Sequence, residues 1–259
     1  MIRTLFIIAG AALVLALACL GGAAALGSRD LAANDWTWVI SDDGDGDDDF
    51  RMERGRVGPE ITRTLAWTGG EQLTIDLPVD VTYVQGDEAG VVVRGPKAAA
   101  ERVRLVDGRL TMSSSDEEER GYIRWGRGGI RVWSETERVR ITVTAPSVSS
   151  FRIAGSGDLT IERYDRPSLA LLVDGSGDVE APTGRTDKVD LRINGSGDVD
   201  LAGLAVRDAT VDVAGSGEVR VGPTGAVDID ITGSGDVDLT RRPASVQQDI
   251  SGSGDVSGT

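Results

Sequence analysis

The 259 residues contain no histidine and a single cysteine, Cys19, which lies inside the first apolar run. Without histidine there is no Ser-His-Asp triad and no imidazole acid or base. With one thiol and no imidazole, zinc held by histidine or thiolate ligands is equally unsupported. Beyond Cys19 no disulfide can form, so stability there has to come from packing and backbone pairing. Aromatic residues make up only 4%, which leaves small aliphatic side chains to build the core. Positive charge is scarce: 27 Lys and Arg stand against 42 Asp and Glu, a formal charge of −15. Nucleic-acid recognition wants a basic surface, and a net charge this negative argues against it. Glycine is the abundant residue, at 35, about twice its usual share, and it implies many tight turns.

Residues 1–27 read as an export signal. Arg3 supplies a positive start, Leu5 to Leu20 is apolar, and Ala23-Ala24-Ala25 offers a small-residue cleavage site. The stretch Leu5–Leu26 is 22 residues, long enough to span a bilayer uncut, so an N-terminal anchor is the alternative. Membrane contact is then expected only through this segment. Lipidation at Cys19 is disfavoured, because Ala16 and not leucine stands three residues before it. Each reading places residues 28–259 outside the cytoplasm, in the periplasm or cell envelope.

Residues 28–60 show no clear period. They carry Trp36 and Trp38, then six aspartates within Asp42–Asp49. Crowded carboxylates repel and bury nothing, so the span reads as an acidic disordered linker. Alternate oxygens at Asp43, Asp45 and Asp47 resemble part of a cation loop, without the closing acidic residue of an EF-hand.

The tetrapeptide Gly-Ser-Gly-Asp/Glu begins at Gly155, Gly175, Gly195, Gly215, Gly233 and Gly252, at spacings of 20, 20, 20, 18 and 19. Before each turn apolar residues alternate, as in Leu169, Leu171, Val173 and in Val227, Ile229, Ile231. After it a shorter alternation follows, as in Val179, Ala181 and in Val237, Leu239. Period two with one apolar face means half-buried strands. A unit of 20 residues cannot bury enough to order itself, so its neighbours must supply ladders and a shared core. The expected fold is all-β: a single-stranded parallel β-helix, or β-solenoid, with rungs of about 20 residues over 151–259. The crossover rule gives it a right hand.

Stacked corners explain the glycine pairs Gly155/Gly157, Gly175/Gly177, Gly195/Gly197, Gly215/Gly217, Gly233/Gly235 and Gly252/Gly254. They need angles closed to other residues and close approach between rungs. The acids Asp158, Asp178, Asp198, Glu218, Asp236 and Asp255 then form a column with about 4.8 Å between members. Two readings are open. Each carboxylate accepts N–H bonds from its own turn, or the column is a calcium ladder. The first needs no cofactor and is favoured.

Residues 61–150 read as irregular rungs of the same solenoid, or its cap. Leu73, Ile75, Leu77 and then Val79, Val81, Tyr83 alternate, and Leu105 leads through Asp107-Gly108 to Leu110 in a hairpin signal. Within them residues 113–137 form an insertion. Its Arg124, Trp125, Arg127, Arg131 and Trp133 interleave charge and ring, a pattern able to hold a glycan or an anionic polymer. The plainer reading is an exposed hairpin whose arginines pair with Asp116–Glu119.

The run Leu73–Asp87, the strand Val139–Pro146 and the segment Ile153–Asp158 with its repeats resemble the bacterial head GIN domain family, labelled putative auto-transporter adhesins. The likeness spans about residues 65–258. It implies an exported β-solenoid of adhesin type and carries over no catalytic residue.

Three functions of different kind follow. The first is a non-catalytic envelope interaction module whose partner is a protein or glycan. The second is a polysaccharide-active β-helix enzyme, which needs a local carboxylate cluster in place of a single file. The third is a calcium-stabilised roll. The final strand also reads as an open edge, so self-association through the C-terminal rung, or protection of that edge by a partner, is expected.

Overall fold

The computed structural model describes residues 36–42, 50–54, 58–113, 121–126, 129–134 and 136–258. Two compact units are present.

The first unit is a four-stranded antiparallel sheet. It comprises β1 (Trp36–Asp42), β2 (Phe50–Arg54) and two later strands, Gly121–Gly126 and Gly129–Ser134. The span expected to be a disordered linker therefore contains two strands. Their alternation (Trp36, Trp38, Ile40 and Phe50, Met52) is short, and half of their pairing comes from residues some 80 positions away, so no local pattern announces them. The acidic run 43–49 and the leader 1–27 lie outside the described residues.

The second unit holds the rest. Its N-terminal part contains β3 (Glu60–Leu65), β4 (Gln72–Asp76), β5 (Asp80–Gln85), β6 (Gly90–Pro96), helix α1 (Lys97–Arg102), β7 (Val103–Val106) and β8 (Arg109–Met112). The strands of the first unit that follow are β9 (Gly121–Gly126) and β10 (Gly129–Ser134); β11 (Arg140–Ala145) returns to the second unit. Antiparallel pairs β3–β6, β6–β11 and β7–β8 close this end. The β7–β8 turn has positive φ at Asp107 (48°) and Gly108 (76°), the hairpin geometry that its Asp-Gly pair predicts.

From β4 and β5 onward the pairing is parallel. The rungs run through β12 (Ser150–Gly155), β13 (Leu159–Glu162), β14 (Tyr164–Asp165), β15 (Ser168–Gly175), β16 (Val179–Glu180) and β17 (Gly184–Gly195). They continue through β18 (Val199–Gly215), β19 (Glu218–Pro223), β20 (Ala226–Gly233), β21 (Asp236–Leu239), β22 (Ser245–Gly252) and β23 (Val256–Ser257). This is a β-solenoid of about five turns. Repeat residues sit one above another: Leu171, Leu191, Val211 and Ile229 share one register column, and Val173, Ile193, Val213 and Ile231 the next.

Those columns line the interior. Val211 and Ile229 are each 1% exposed, and every apolar repeat position from Leu159 to Leu239 is buried. Burial of this lining, at roughly 25 cal/mol per Å² of apolar surface, is the main force holding the tube. Near the capped end three rings fill the bore: Tyr83 to Phe151 at 5.0 Å and Phe151 to Tyr164 at 6.2 Å between centroids, both edge-on. Their hydroxyls are satisfied, Tyr83 donating to Ala145 O at 2.8 Å and Tyr164 to Ser168 O at 2.6 Å. Burial pushes the Tyr83 phenol up to about 12, and Tyr164 is also raised.

Candidate functional site

The corners stack as the repeat implies. From the second corner on, the serine N–H donates to the carbonyl of the first glycine one rung earlier, from Ser176 to Gly155 at 2.9 Å through to Ser253 to Gly233 at 2.8 Å. Ser196 and Ser216 also link through their hydroxyls at 3.2 Å.

Not every glycine of a corner needs an angle closed to other residues. Only the first of each pair does: Gly155, Gly175, Gly195, Gly215, Gly233 and Gly252 all have positive φ, from 102° to 143°. The second glycines, Gly157, Gly177, Gly197, Gly217, Gly235 and Gly254, lie outside that region. Close approach alone excludes a side chain from them. A Cβ on Gly197 would run into Gly177 O, and one on Gly254 into Gly235 O. At Gly157, the first corner, the obstacle is Leu77 O of the capping segment in place of an earlier corner. At Gly235 the nearest atom is the Val213 Cγ1 methyl at 2.6 Å, with Gly217 O at 2.7 Å. From Gly175 onward the first glycine carries both demands, since besides its positive φ a Cβ there would run into the carbonyl of the first glycine one rung earlier.

The acid column is present, with a different bonding pattern from the one expected. Asp158, Asp178, Asp198 and Asp236 accept from the following rung and not from their own turn. Asp158 Oδ1 takes the N–H of Asp178 at 3.0 Å, Asp178 that of Asp198 at 2.9 Å, and Asp198 that of Glu218 at 2.8 Å. Asp236 takes that of Asp255 at 2.9 Å. The parallel register brings the next rung's backbone N–H within hydrogen-bond distance of each of these four aspartates. Repulsion along the file is thus offset by charge-assisted hydrogen bonds. Among the described residues no three acidic side chains converge on a common point that would hold a metal ion.

Two residues beyond each corner acid a second outward file runs parallel to the first: Thr160, Glu180, Asp200 and Arg220. The two files line an open groove of about 520 Å³, which Asp80, Thr82 and Arg140 of the capping strands extend. Its cations sit towards the ends. Arg140 pairs with Asp80 at 2.5 Å, and Arg220 with Glu218 at 2.6 Å. Between them Asp158, Asp178, Glu180 and Asp198 make a continuous acidic floor. Sequence reasoning misses this second file, although its positions follow from period-two alternation after each corner.

On another side of the rungs, Arg185 clasps Asp165 through two bonds of 2.9 and 2.8 Å. That contact holds the Asp165 carboxyl below the usual carboxylate range. Gln85 bridges the same corner, accepting from Asp165 N at 2.8 Å and donating to Asp165 O at 3.1 Å. Nothing in the repeat signals this clamp, because Gln85 lies 80 residues from Asp165.

Four of the insertion's five candidate residues fall on β9 and β10. Arg124 is the cross-strand partner of Arg131, Trp125 pairs with Ile130 and also with Trp36, and Trp133 pairs with Tyr122. The insertion is a hairpin, joined to β1. Arg127 lies outside the described residues.

With this geometry established, comparison with known proteins identifies the family. A family model described as "Putative auto-transporter adhesin, head GIN domain" matches residues 71–243. The chain belongs to the head GIN domain family. That match starts just before β4 and ends just before β22, so it contains the stacked rungs and most of the cap. A crystal structure of a putative adhesin from Bacteroides fragilis NCTC 9343 superposes with a TM-score of 0.59 at 18% identity, covering 78% of this chain and 97% of that one. A second, a putative adhesin from Parabacteroides merdae ATCC 43184, gives 0.46 at 15% identity, with coverage of 78% and 97%. At 18% identity the likeness to the Bacteroides fragilis structure speaks for the fold alone. No curated protein sequence matches.

Proposed function

We propose that this head GIN domain is an exported, non-catalytic interaction module of the bacterial envelope that binds an envelope protein or glycan through a face of its solenoid. Export rests on the apolar leader, and the adhesive role on the family description. The carrying observation is the groove: two outward files of polar side chains, repeated rung after rung, with the acidic floor Asp158, Asp178, Glu180 and Asp198 between its two arginines. A periodic surface of this kind presents the same groups to successive units of an extended partner. That suits recognition of a chain, whereas catalysis needs two differently tuned groups at one point. The Arg124–Arg131 register pair on β9 and β10 is a second candidate surface.

The purified full chain should retain a defined component from an array of envelope glycans and proteins. Reversing charge on the groove with Glu180→Lys should reduce that binding at least about tenfold. A chain that retains nothing from the array, or retention unaltered by Glu180→Lys, counts against the groove. New reducing ends on acidic polysaccharides would instead point to an enzyme.

A further inference from the structure

The strand β22 pairs with β20 on one side, in eight successive register positions without a bulge, and with no described strand on the other. Its inward positions are those of a core, now uncovered. Val246 is 45% exposed where Val227 beneath it is 3%. Gln248 is exposed and stands over Ile229, a position that is aliphatic in every regular rung before it. The strand has no proline and no lysine, two devices that commonly protect a free edge.

The sequence of β22 is self-complementary. Laid antiparallel against a second copy about a twofold axis through Gln248, Val246 meets Ile250, Gln247 meets Asp249, and Gln248 meets itself. The apolar inward pairs join two cores. Gln248 offers a donor and an acceptor to an identical amide. Gln247 can donate to the Asp249 carboxylate. Shifting the axis by one residue spoils this. About Asp249 two carboxylates stand opposite each other, and about Gln247 the amide of Gln248 meets Val246. The same axis carries the exposed Arg241 and Arg242, which precede β22, towards the corner of the second copy that bears Asp255. Charge is complementary there too.

We propose that the uncovered rung is an isologous interface with a second copy of this chain, β22 against β22 antiparallel, with Gln248 on the axis. A lone polar residue in an otherwise apolar seam is a known way to fix register at some cost in stability. The inference is independent of which partner the groove binds.

Cysteine cross-linking of the full chain in a Cys19→Ser background tests the register. Under oxidation Gln248→Cys gives a covalent dimer. Gln247→Cys alone and Asp249→Cys alone do not, whereas mixing those two variants gives one. Gln248→Lys places two like charges on the axis and raises the dimer dissociation constant at least about tenfold, with an unchanged melting temperature for the monomer, since the site is exposed. Arg241→Asp weakens the dimer, and Asp255→Arg in the same chain restores it. The proposal is overturned by a mass that stays monomeric at high concentration. It is equally overturned by a dimer indifferent to Gln248→Lys, or by Gln247→Cys cross-linking as readily as Gln248→Cys.

Discussion

Glu218 donates its backbone N–H to Asp198 Oδ1 at 2.8 Å, yet the N–H of Asp236 bypasses the Glu218 carboxylate and goes to Gly217 O at 3.2 Å. One extra methylene carries the carboxylate away from the ladder and towards Arg220, 2.6 Å distant. The column is therefore broken at the only place where glutamate replaces aspartate.

Restoring it is a simple test. Glu218→Asp should let Asp236 join the ladder and gain about 0.5–1.5 kcal/mol, less the small contribution of the exposed Arg220 pair. A rise in the urea midpoint with no change in slope reports it. A fall would mean that Arg220 matters more than the ladder.

The opposite change removes an acceptor. Asp198→Ala leaves the Glu218 N–H without its partner and should cost on the order of 1 kcal/mol, while Asp198→Asn, which keeps an oxygen, should cost less. Equal losses in thermal melts would show that the charge and not the hydrogen bond is responsible.

The glycine columns allow a graded comparison. A Cβ at Gly155 meets nothing within 4 Å, whereas one at Gly195 runs into Gly175 O; both have positive φ, +102° and +143°. Gly155→Ala should therefore cost only backbone strain, about 1–3 kcal/mol, and Gly195→Ala clearly more, because a rung must move. Chemical denaturation of the two variants ranks them.

Stability at alkaline pH follows from the buried rings. The folded Tyr83 phenol titrates near 12 against 10.0 for an ordinary tyrosine. The acid form is the one favoured on folding, so its contribution is complete below pH 10 and is lost as pH rises towards 12. Tyr164 acts in the same direction. Tyr83→Phe should lower stability at neutral pH by removing one of the two hydrogen bonds that Ala145 O accepts, the other coming from Gly86 N at 3.2 Å, and should flatten the decline above pH 10. An unaltered alkaline profile would remove Tyr83 from this role.

Calcium offers a further check. The aspartates of the column already accept backbone hydrogens, so melting temperatures in calcium and in chelator should coincide. A calcium-dependent rise of several degrees would restore the ladder of ions.

Much of the solenoid was legible because the same pattern is written several times. Alternation gave Val211 and Ile229 their inward places, and the constant spacing aligned the corners. What escaped depends on the neighbouring rung. Which N–H lies over Asp158 is set by register, not by the turn that contains it. The roles of Gly157, Gly197 and Gly254 are set by the carbonyls of Leu77, Gly177 and Gly235, not by their own angles. The strand β1 escapes for the same reason, since Trp36 finds its partner Trp125 across 89 positions.

The rung between Gly215 and Gly233 is two residues shorter than the three before it, and the register shift falls between Leu201 and Val206, away from the corners. Changes of length are thus absorbed on one flank, while the glycine edge keeps time. Duplication or loss of a whole repeat in the gene would lengthen or shorten the tube without disturbing its seam, so related proteins can vary in reach while presenting the same surface.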